Sequence, residues 1–199
     1  MELILASNNL KKLEELRAIL SQMGHTVVSQ REAGLDFSVE ETGDTFLENA
    51  ALKAVAVYKA TGKAAIADDS GLCVEALDGR PGVHSAYYGG DACQTDRERT
   101  LHLLKEMQGI TNRKAYFVSR IYAILPDETV LTVEGRLDGE ILKEIKGEGG
   151  FGYDPVFYLP AYGKTLAQMK PEEKNNISHR AVALGKFKEI WEKEHGNNK

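Results

Sequence analysis

The stretch that decides the fold is TFLENAALKAVAVYKATGKAAIADDSG, residues 45–71. It opens on a Thr-x-x-Glu capping box, which signals a helix start, and Gly62 is a natural helix end, so we predict a helix over 45–61. The many alanines of this segment favour close packing against a sheet. Four apolar residues, 64–67, then predict a buried strand that leads directly into two adjacent acids.

The rest of the chain indicates a mixed sheet. The other predicted elements are strands at 3–6, 26–29, 114–125, 129–142 and 156–158, helices at 10–23, 94–107 and 178–194, and glycine-rich loops at 79–90 and 147–152. Helices alternate with strands early in the chain and paired strands come later, which predicts an α/β fold with a mixed sheet flanked by helices. The 199 residues fit one domain, 1–199, or one domain divided into two lobes. The polar end, 196–199, is predicted to be frayed.

Composition excludes several classes of protein. The formal charge of −5 argues against binding of long nucleic acid, which needs a basic stripe. Cys73 and Cys93 show no zinc-site spacing and are predicted to be free thiols in a reducing compartment. The first six residues lack the basic start and apolar length of a signal peptide, and no apolar run reaches membrane-span length. We therefore expect a soluble cytoplasmic protein without a membrane partner.

The first candidate site lies between the first strand and the first helix, where the sequence reads SNNLKK. A helix N-terminus offers unpaired N–H groups and a positive dipole end, which suits an anion. Ser7 and Asn9 can donate side-chain hydrogen bonds, and Lys12 lies in the first turn, where a cation is unfavourable unless an anion compensates it. The glycine pattern of a Walker A loop is absent. An ordinary N-cap with solvated lysines explains the spacing equally well.

The second candidate site is the acidic pair that follows the strand at 64–67. Buried carboxylates need a partner, commonly a metal or a cation. Magnesium is usually held by one or two carboxylates plus substrate phosphates, and Glu40 and Glu41 supply further candidate ligands. An ordinary Asp-Ser-Gly turn explains Asp69 well but explains Asp68 poorly.

The third candidate site is GEGGFGYDP, residues 147–155. Its glycines allow a ligand to approach the backbone closely. Phe151 and Tyr153 offer flat faces on which a base can stack, and Asp154 offers an acceptor for a ring N–H. The alternative is a flexible hairpin loop whose aromatic side chains tuck into the core.

The fourth candidate site is KNNISHR, residues 174–180, which leads into the last helix. Lys174 can contact phosphate or sugar, and the donor fork of Arg180 suits a carbonyl oxygen or a phosphate. His179 is a candidate base contact. A lone histidine beside a helix start is more often structural or solvated.

Together these sites resemble the Ham1/inosine-triphosphatase family, whose bacterial members are the RdgB-type dITP/XTP pyrophosphatases. The shared motifs, in order, are SNN-x-KK, EETGDTFLENA, ADDSGL, GRPGVHSAYYGG, GGFGYDP and EEKNNISHRAVAL. Each motif alone is weak, but all six in this order, over nearly the whole chain, are specific. No expected functional position departs from the family pattern.

The resemblance implies an elongated α/β fold with a mixed sheet, two lobes and a central substrate cleft, and it implies a homodimer. The implied reaction is magnesium-dependent hydrolysis of ITP, dITP or XTP to the nucleoside monophosphate and pyrophosphate, which prevents incorporation of these nucleotides into DNA and RNA. Positioning and charge stabilisation dominate such reactions, and magnesium would neutralise the phosphates and orient the water. Donors near the base would favour a 6-oxygen over the 6-amino group of adenine.

The resemblance also implies roles for individual residues. Phosphate and sugar contacts fall on Ser7, Asn8, Asn9, Leu10, Lys11, Lys12, Ser70 and Lys174, with Lys53 as a further phosphate contact. Base recognition falls on Phe151, Gly152, Tyr153, Asp154, His179 and Arg180. Metal binding falls on Glu40 and Asp69, and Asp69 is also the implied proton acceptor.

The division of roles within the acidic pair stays open at this point. A metal ligand is a weak base, so either Asp68 or Asp69 can take the proton. Two alternative functions also stay open. One is a Maf-type pyrophosphatase of modified nucleotides, and the other is a nucleotide-binding protein without catalytic activity.

Overall fold

The computed structural model describes residues 1–195, and residues 196–199, for which a frayed end is predicted, lie outside that part. The strands are β1 (Glu2–Leu5), β2 (Thr26–Ser29), β3 (Ala65–Val74), β4 (Lys114–Ile124), β5 (Val130–Ile141), β6 (Phe157–Leu159) and β7 (Lys164–Thr165). The helices are α1 (Leu10–Ser21), α2 (Phe46–Thr61), α3 (Asp96–Glu106), α4 (Pro171–Ile177) and α5 (His179–His195). The strands form one sheet in the order β2-β1-β3-β4-β5-β6-β7. Within the described chain, no helix has the length and apolar character needed to cross a membrane.

The chain divides into two compact units. Unit 1 contains 1–69, 119–135 and the described residues from 179 onward, and unit 2 contains 70–118 and 136–178. The strands β3, β4 and β5 therefore each contribute residues to both units.

Unit 1 places helices on both faces of its strands, and β1 runs parallel to both β2 and β3. One face packs against α1 and α5, in a cluster that includes Leu5, Ile66, Ile121, Leu16, Leu184 and Phe187. The other face packs against α2, in a cluster that includes Ile4, Ala65, Ala67, Ala50, Ala54 and Val57. The prediction that the alanines of α2 pack against a sheet is confirmed. Small side chains allow this close approach of helix and strand.

The helix α2 forms as predicted because its ends are specified locally. The Thr45 side chain accepts from the Glu48 backbone, and the Glu48 side chain accepts from the Thr45 backbone, so the capping box is complete. Gly62 ends the helix in the left-handed conformation, with φ of 65°.

The strand β3 is longer than the prediction of 64–67. It runs from Ala65 to Val74, so the two acids lie inside the strand, and the alternative of an ordinary Asp-Ser-Gly turn is excluded. Aspartate is a poor strand former because its side chain competes for backbone hydrogen bonds. Here Asp68 and Asp69 are bound by side chains from other elements instead, which leaves the backbone free to continue the ladder.

Unit 2 is built on the remaining parts of the three long strands. Its core includes Leu72, Val74, Phe117, Ile141 and Phe157, with Leu103 and Met107 contributed by α3 and the residue that follows it. The strands β6 and β7 extend it as antiparallel neighbours, with Tyr158 opposite Thr165. A capping box at Thr95 and Glu98 starts α3 within the range predicted for this helix.

Several short elements were not predicted from the sequence. The helix α4 spans only seven residues, too few to show a hydrophobic period, although Pro171 at its first position is a helix-start signal. The strand β7 has two residues. The predicted loop 79–90 contains the 3-10 turn Gly82–Tyr87 and the start of a second, Gly90–Ala92.

Candidate active site

The position of the acidic pair inside β3 sends its two side chains to opposite faces of the sheet. Ile66 packs with α1 and α5, whereas Ala65 and Ala67 pack with α2. By the same alternation, Asp68 faces α1 and α5, and Asp69 faces α2. Their ion pairs follow this division.

Asp68 is 1% exposed and is bound by side chains of unit 1 that include Lys12, Arg180 and Ser119. Its Oδ2 lies 3.1 Å from Lys12 Nζ of α1 and 3.1 Å from Arg180 Nε of α5. Its Oδ1 accepts a hydrogen bond from the Ser119 hydroxyl on β4. Both carboxylate oxygens are therefore occupied.

These contacts determine the charge state of Asp68. Burial raises the pKa of the carboxyl, but Lys12 and Arg180, with the Ser119 hydrogen bond, outweigh it and hold the pKa well below its ordinary range. Burial lowers the pKa of Lys12, with Asp68 acting against this effect. The bound carboxylate is a poor proton acceptor at neutral pH.

Asp69 is 5% exposed and is only half satisfied. Its Oδ1 accepts from Lys53 Nζ of α2 at 2.9 Å, and Lys53 Nζ also donates to Glu41 Oε1 at 2.7 Å. Its Oδ2 is buried and has no hydrogen-bond partner among the described residues. A buried carboxylate oxygen without a partner is costly, and its natural complement is a proton, a water or a cation.

The pKa of Asp69 moves opposite to that of Asp68. Burial raises it, Lys53 and Lys12 act to lower it, and the nearby charge of Glu41 raises it again, so the net shift is upward. For Lys53, burial lowers the pKa, but Asp69 and Glu41 more than compensate, so the ammonium stays charged. Asp69 is thus better suited than Asp68 to accept a proton.

The start of α1 uses its polar residues largely for capping. The Asn9 side chain accepts from the backbone N–H groups of Lys11 and Lys12, at 3.1 and 3.2 Å, and Ser7 Oγ accepts from Asn9 N. The ordinary N-cap considered above is therefore present. Of the two lysines, Lys12 points toward the acidic cluster, by which we mean Asp68, Asp69 and Glu41. Leu10 is 70% exposed.

The start of α5 is held against β5 by a close backbone approach. A Cβ on Gly135 would collide with the His179 carbonyl oxygen and with Ala183. Only glycine allows this approach, which places His179 and Arg180 at the acidic cluster. Arg180 is buried and also donates from Nη1 to Glu15 Oε2 of α1 at 2.8 Å.

The two acids before α2 differ in their surroundings. Glu41 pairs with Lys53, whereas Glu40 is exposed. Among the residues the structure describes, no three His, Cys, Asp or Glu side chains converge as a ready metal site. A metal here would rely on few protein ligands.

Unit 2 assembles a second set of predicted residues around the loop 147–154, which we call the glycine loop. Asp154 Oδ2 accepts from the Phe151 backbone N–H at 2.9 Å and from Lys174 Nζ at 2.7 Å. Lys174 Nζ lies 4.6 Å from the centre of the Phe151 ring, a cation–π distance. A Cβ on Gly150 would collide with the Asp154 carboxylate, and its φ of 68° also favours glycine.

The glycine loop is anchored rather than open. Gly149 N donates to the Ala167 carbonyl, and Tyr153 is buried in the core with its hydroxyl donating to the Ser85 carbonyl at 2.8 Å. The expectation that the Tyr153 ring offers a stacking face is wrong, because core packing covers it. Phe151 is half-buried and remains the aromatic face of the loop.

The structure thus groups the predicted residues by unit. Unit 1 brings together Lys12, Lys53, Asp68, Asp69, His179 and Arg180, and unit 2 brings together Phe151, Gly152, Tyr153, Asp154 and Lys174. The prediction missed Glu15 and Ser119, which bind Arg180 and Asp68. Ser119 could have been found from the sequence, because a hydroxyl among the apolar residues of β4 needs a buried hydrogen-bond partner.

Comparisons with known sequences and solved structures give matches over nearly the whole chain. A sequence model of the Ham1 family matches residues 3–190. A dITP/XTP pyrophosphatase of Geobacillus kaustophilus is 47% identical over 197 residues, which covers 96% of this chain and 94% of that protein. One from Thermus thermophilus is 49% identical over 193 residues, covering 96% and 92%. The solved structure of the Staphylococcus aureus Ham1 protein matches with a TM-score of 0.87 at 43% identity, covering 98% of this chain and 100% of that one.

Proposed function

The chain belongs to the Ham1 family, and we propose that it hydrolyses the abnormal purine nucleotides dITP, XTP and ITP to the nucleoside monophosphate and pyrophosphate. Removal of these nucleotides keeps them out of DNA and RNA. The relatives named as dITP/XTP pyrophosphatases, at 47% and 49% identity over almost the full chain, support this activity. The match to the Ham1 family model disfavours the Maf-type alternative.

The observation that carries the proposal is the unpartnered Oδ2 of Asp69. Among the described residues this buried oxygen has no hydrogen-bond partner, its carboxyl has a raised pKa, and Lys53 holds the other oxygen at 2.9 Å. A general base works best when its pKa lies near the working pH, so the upward shift suits Asp69 to accept the proton of the attacking water. Asp68, with its lowered pKa, takes a positioning role for Lys12 and Arg180.

Magnesium is the cofactor we propose, with Glu40 and Asp69 as its protein ligands. A site with few carboxylates fits magnesium, which keeps several waters and binds substrate phosphates directly. When bound, the ion supplies neutralisation of the phosphate charge. Because Lys53 occupies Oδ1 of Asp69, Oδ2 is the atom available either to hold the ion or to accept the proton. Glu41, which pairs with Lys53, is the adjacent candidate ligand.

Several cations and polar residues are the proposed contacts to the phosphates and the sugar. Lys12 and Lys53 bind phosphate, with Ser7 through Lys11 and Ser70 as further phosphate or sugar contacts. Lys174 binds phosphate or sugar. Phe151 stacks on the purine, and Gly152, Tyr153 and Asp154 contribute through the backbone and carboxylate of the glycine loop. His179 and Arg180 favour the 6-oxygen of hypoxanthine and xanthine over the 6-amino group of adenine.

A substrate panel tests this proposal. The purified protein is incubated with ITP, XTP, dITP, GTP and ATP with magnesium, and pyrophosphate and orthophosphate are quantified separately. We expect pyrophosphate release from ITP, XTP and dITP, much less from GTP and ATP, and loss of activity when a chelator removes the metal. Binding of ITP without pyrophosphate release would favour the non-catalytic alternative. Release of orthophosphate instead would place the cleavage at another bond.

We also propose a cytoplasmic homodimer. The two cysteines, Cys73 and Cys93, are free thiols in the structure, as is usual in reducing compartments. Size-exclusion chromatography with light scattering tests the dimer directly. A monomeric mass at micromolar concentration would refute it.

A further inference from the structure

The anchoring of the glycine loop by α3 has no role in the reaction as described so far. The Gly152 backbone N–H donates to Asp96 Oδ2 at 2.9 Å. The preceding N–H, of Phe151, donates to Asp154 Oδ2 at 2.9 Å. Consecutive amide groups on either side of the Phe151 side chain are thus each bound by a carboxylate, one from within the loop and one from α3.

The carboxylate of Asp96 is not needed to cap its own helix. Thr95 and Glu98 perform that function, and Glu98 accepts from the backbone N–H groups of Gln94 and Thr95 at 2.8 Å each. Arg99 Nη2 binds the other oxygen of Asp96, Oδ1, at 2.8 Å, and Arg99 Nη1 donates to the Cys93 carbonyl. The side chain is therefore oriented by Arg99 so that Oδ2 faces the glycine loop.

A second contact from α3 reaches the same residue of the loop. Thr100 is buried, and its Oγ1 lies 2.8 Å from the Asp96 carbonyl oxygen and 3.2 Å from the Gly152 carbonyl oxygen. Gly152 has a φ of 59°, and a Cβ added there would meet nothing within 4 Å, so its glycine is required by backbone conformation and not by crowding. Contacts at both its N–H and its C=O hold it in that conformation.

We propose that Asp96 is a positioning residue for recognition of the purine base. It fixes the Gly152 peptide, and through it the direction of the Phe151 ring on which the base stacks. This inference rests on the proposed function, because it assigns base binding to the glycine loop. The group touches no substrate, so its loss weakens binding of the base and leaves the chemical step at Asp69 intact.

The test compares Asp96→Ala with Asp96→Asn. Loss of the exposed charged hydrogen bond in Asp96→Ala should raise KM for ITP about fivefold with kcat little changed, which is the signature of lost uniform binding. The ITP/ATP preference should fall with it. Asp96→Asn keeps an acceptor for the Gly152 N–H and should restore KM to near the wild-type value. Asp91→Ala, an exposed aspartate just before α3, is the matched control and should leave both constants unchanged.

A merely structural role for Asp96 would have a different result. Weakening of α3 alone would lower the melting temperature and the fraction of active protein. In that case kcat would fall, while KM and the preference for ITP over ATP would stay unchanged. This outcome would overturn the proposal. Calorimetric measurement of ITP binding to the Asp69→Asn variant separates the positioning role of Asp96 from the proposed hydrolytic activity. An Asp96→Ala effect on that binding supports the positioning role even if turnover proves to be of another kind. A protein that neither binds nor hydrolyses ITP would refute both.

Discussion

The two faces of β3 carry the same side chain and give it opposite properties. On the face toward α1 and α5, Asp68 is bound by Lys12, Arg180 and Ser119, and its pKa is held low. On the face toward α2, Asp69 has one oxygen on Lys53 and the other without a hydrogen-bond partner among the described residues, and its pKa is raised.

The difference shows that the role of an acid is set by how completely its neighbours satisfy it. Burial raises the pKa of both carboxyls, so burial does not distinguish them. Two cations and a hydroxyl favour the ionised form of Asp68 and hold its pKa low. A single shared lysine leaves Asp69 able to bind a further proton or ion. The division of roles that the sequence leaves open thus becomes a testable proposal, in which Asp69 is the base and Asp68 positions Lys12 and Arg180.

The largest expected effect is on turnover in Asp69→Asn. Loss of a general base typically lowers kcat by about 10²–10⁴-fold, and we expect a drop of this order in pyrophosphate release from ITP. The stability of the folded protein should not decrease. Because the folded state raises the pKa of Asp69, its ionised form is disfavoured by folding, and stability is gained as pH falls through that pKa. The neutral Asn variant should therefore melt at or above the wild-type temperature.

Near-normal turnover in Asp69→Asn would sink the assignment of the base. A large loss of turnover together with a collapse of the melting temperature would instead make Asp69 a structural residue and erase the contrast between the two faces.

Asp68→Asn should show the reverse pattern, with a large loss of stability. Removal of one partner from a buried ion pair costs about 3–5 kcal/mol, because Lys12 and Arg180 are left with uncompensated charge. The pKa of Asp68 is lowered in the folded state, so its contribution is present above the ordinary carboxyl pKa of about 3.9 and is lost as pH falls through the folded value. Urea unfolding at pH 7 measures the difference. A free energy of unfolding within about 1 kcal/mol of wild type would contradict the network.

Much of this fold could be predicted from sequence, because its main signals are local. The capping box at Thr45, the glycine at 62 and the alternation of apolar residues in the long strands all act over a few residues. The position of the candidate site could also be predicted from the sequence, but the partners of its two acids could not. The partners of Asp68 come from α1, β4 and α5, at separations of 51 to 112 residues, and no local pattern specifies which acid receives them.

The prediction about Tyr153 failed for a related reason. A tyrosine beside glycines in a polar loop has the same local signature whether it faces a ligand or the core. The Ser85 carbonyl that binds its hydroxyl lies 68 residues away, and only the tertiary fold brings it there.

Lys53→Met sharpens the comparison through pH dependence. The Lys53 charge lowers the pKa of Asp69, so its removal should raise that pKa further. If Asp69 is the base, activity requires its ionised form and falls as pH drops through its pKa, so the acid limb of kcat/KM should move to higher pH in the variant. Loss of a phosphate contact would lower the plateau instead and leave the limb in place. The pH profile is measured on ITP from about pH 5 to 9. An acid limb at the wild-type pH would contradict the inference that Lys53 lowers the pKa of Asp69.

The smallest expected effect comes from Ser119→Ala, which removes the hydroxyl that binds Asp68. A hydrogen bond to a charged group contributes about 1.5–3 kcal/mol, and we expect the lower end, because Lys12 and Arg180 still bind the other oxygen. The loss should appear in the free energy of unfolding. Turnover on ITP should change little, because Ser119 faces the positioning acid and not the base. Cys in place of Ala offers a matched comparison, since it keeps the volume but weakens the donor. If Ser119→Ala reduced turnover as strongly as Asp69→Asn without unfolding the protein, Asp68 would belong to the chemical step and the two faces of β3 would share one function.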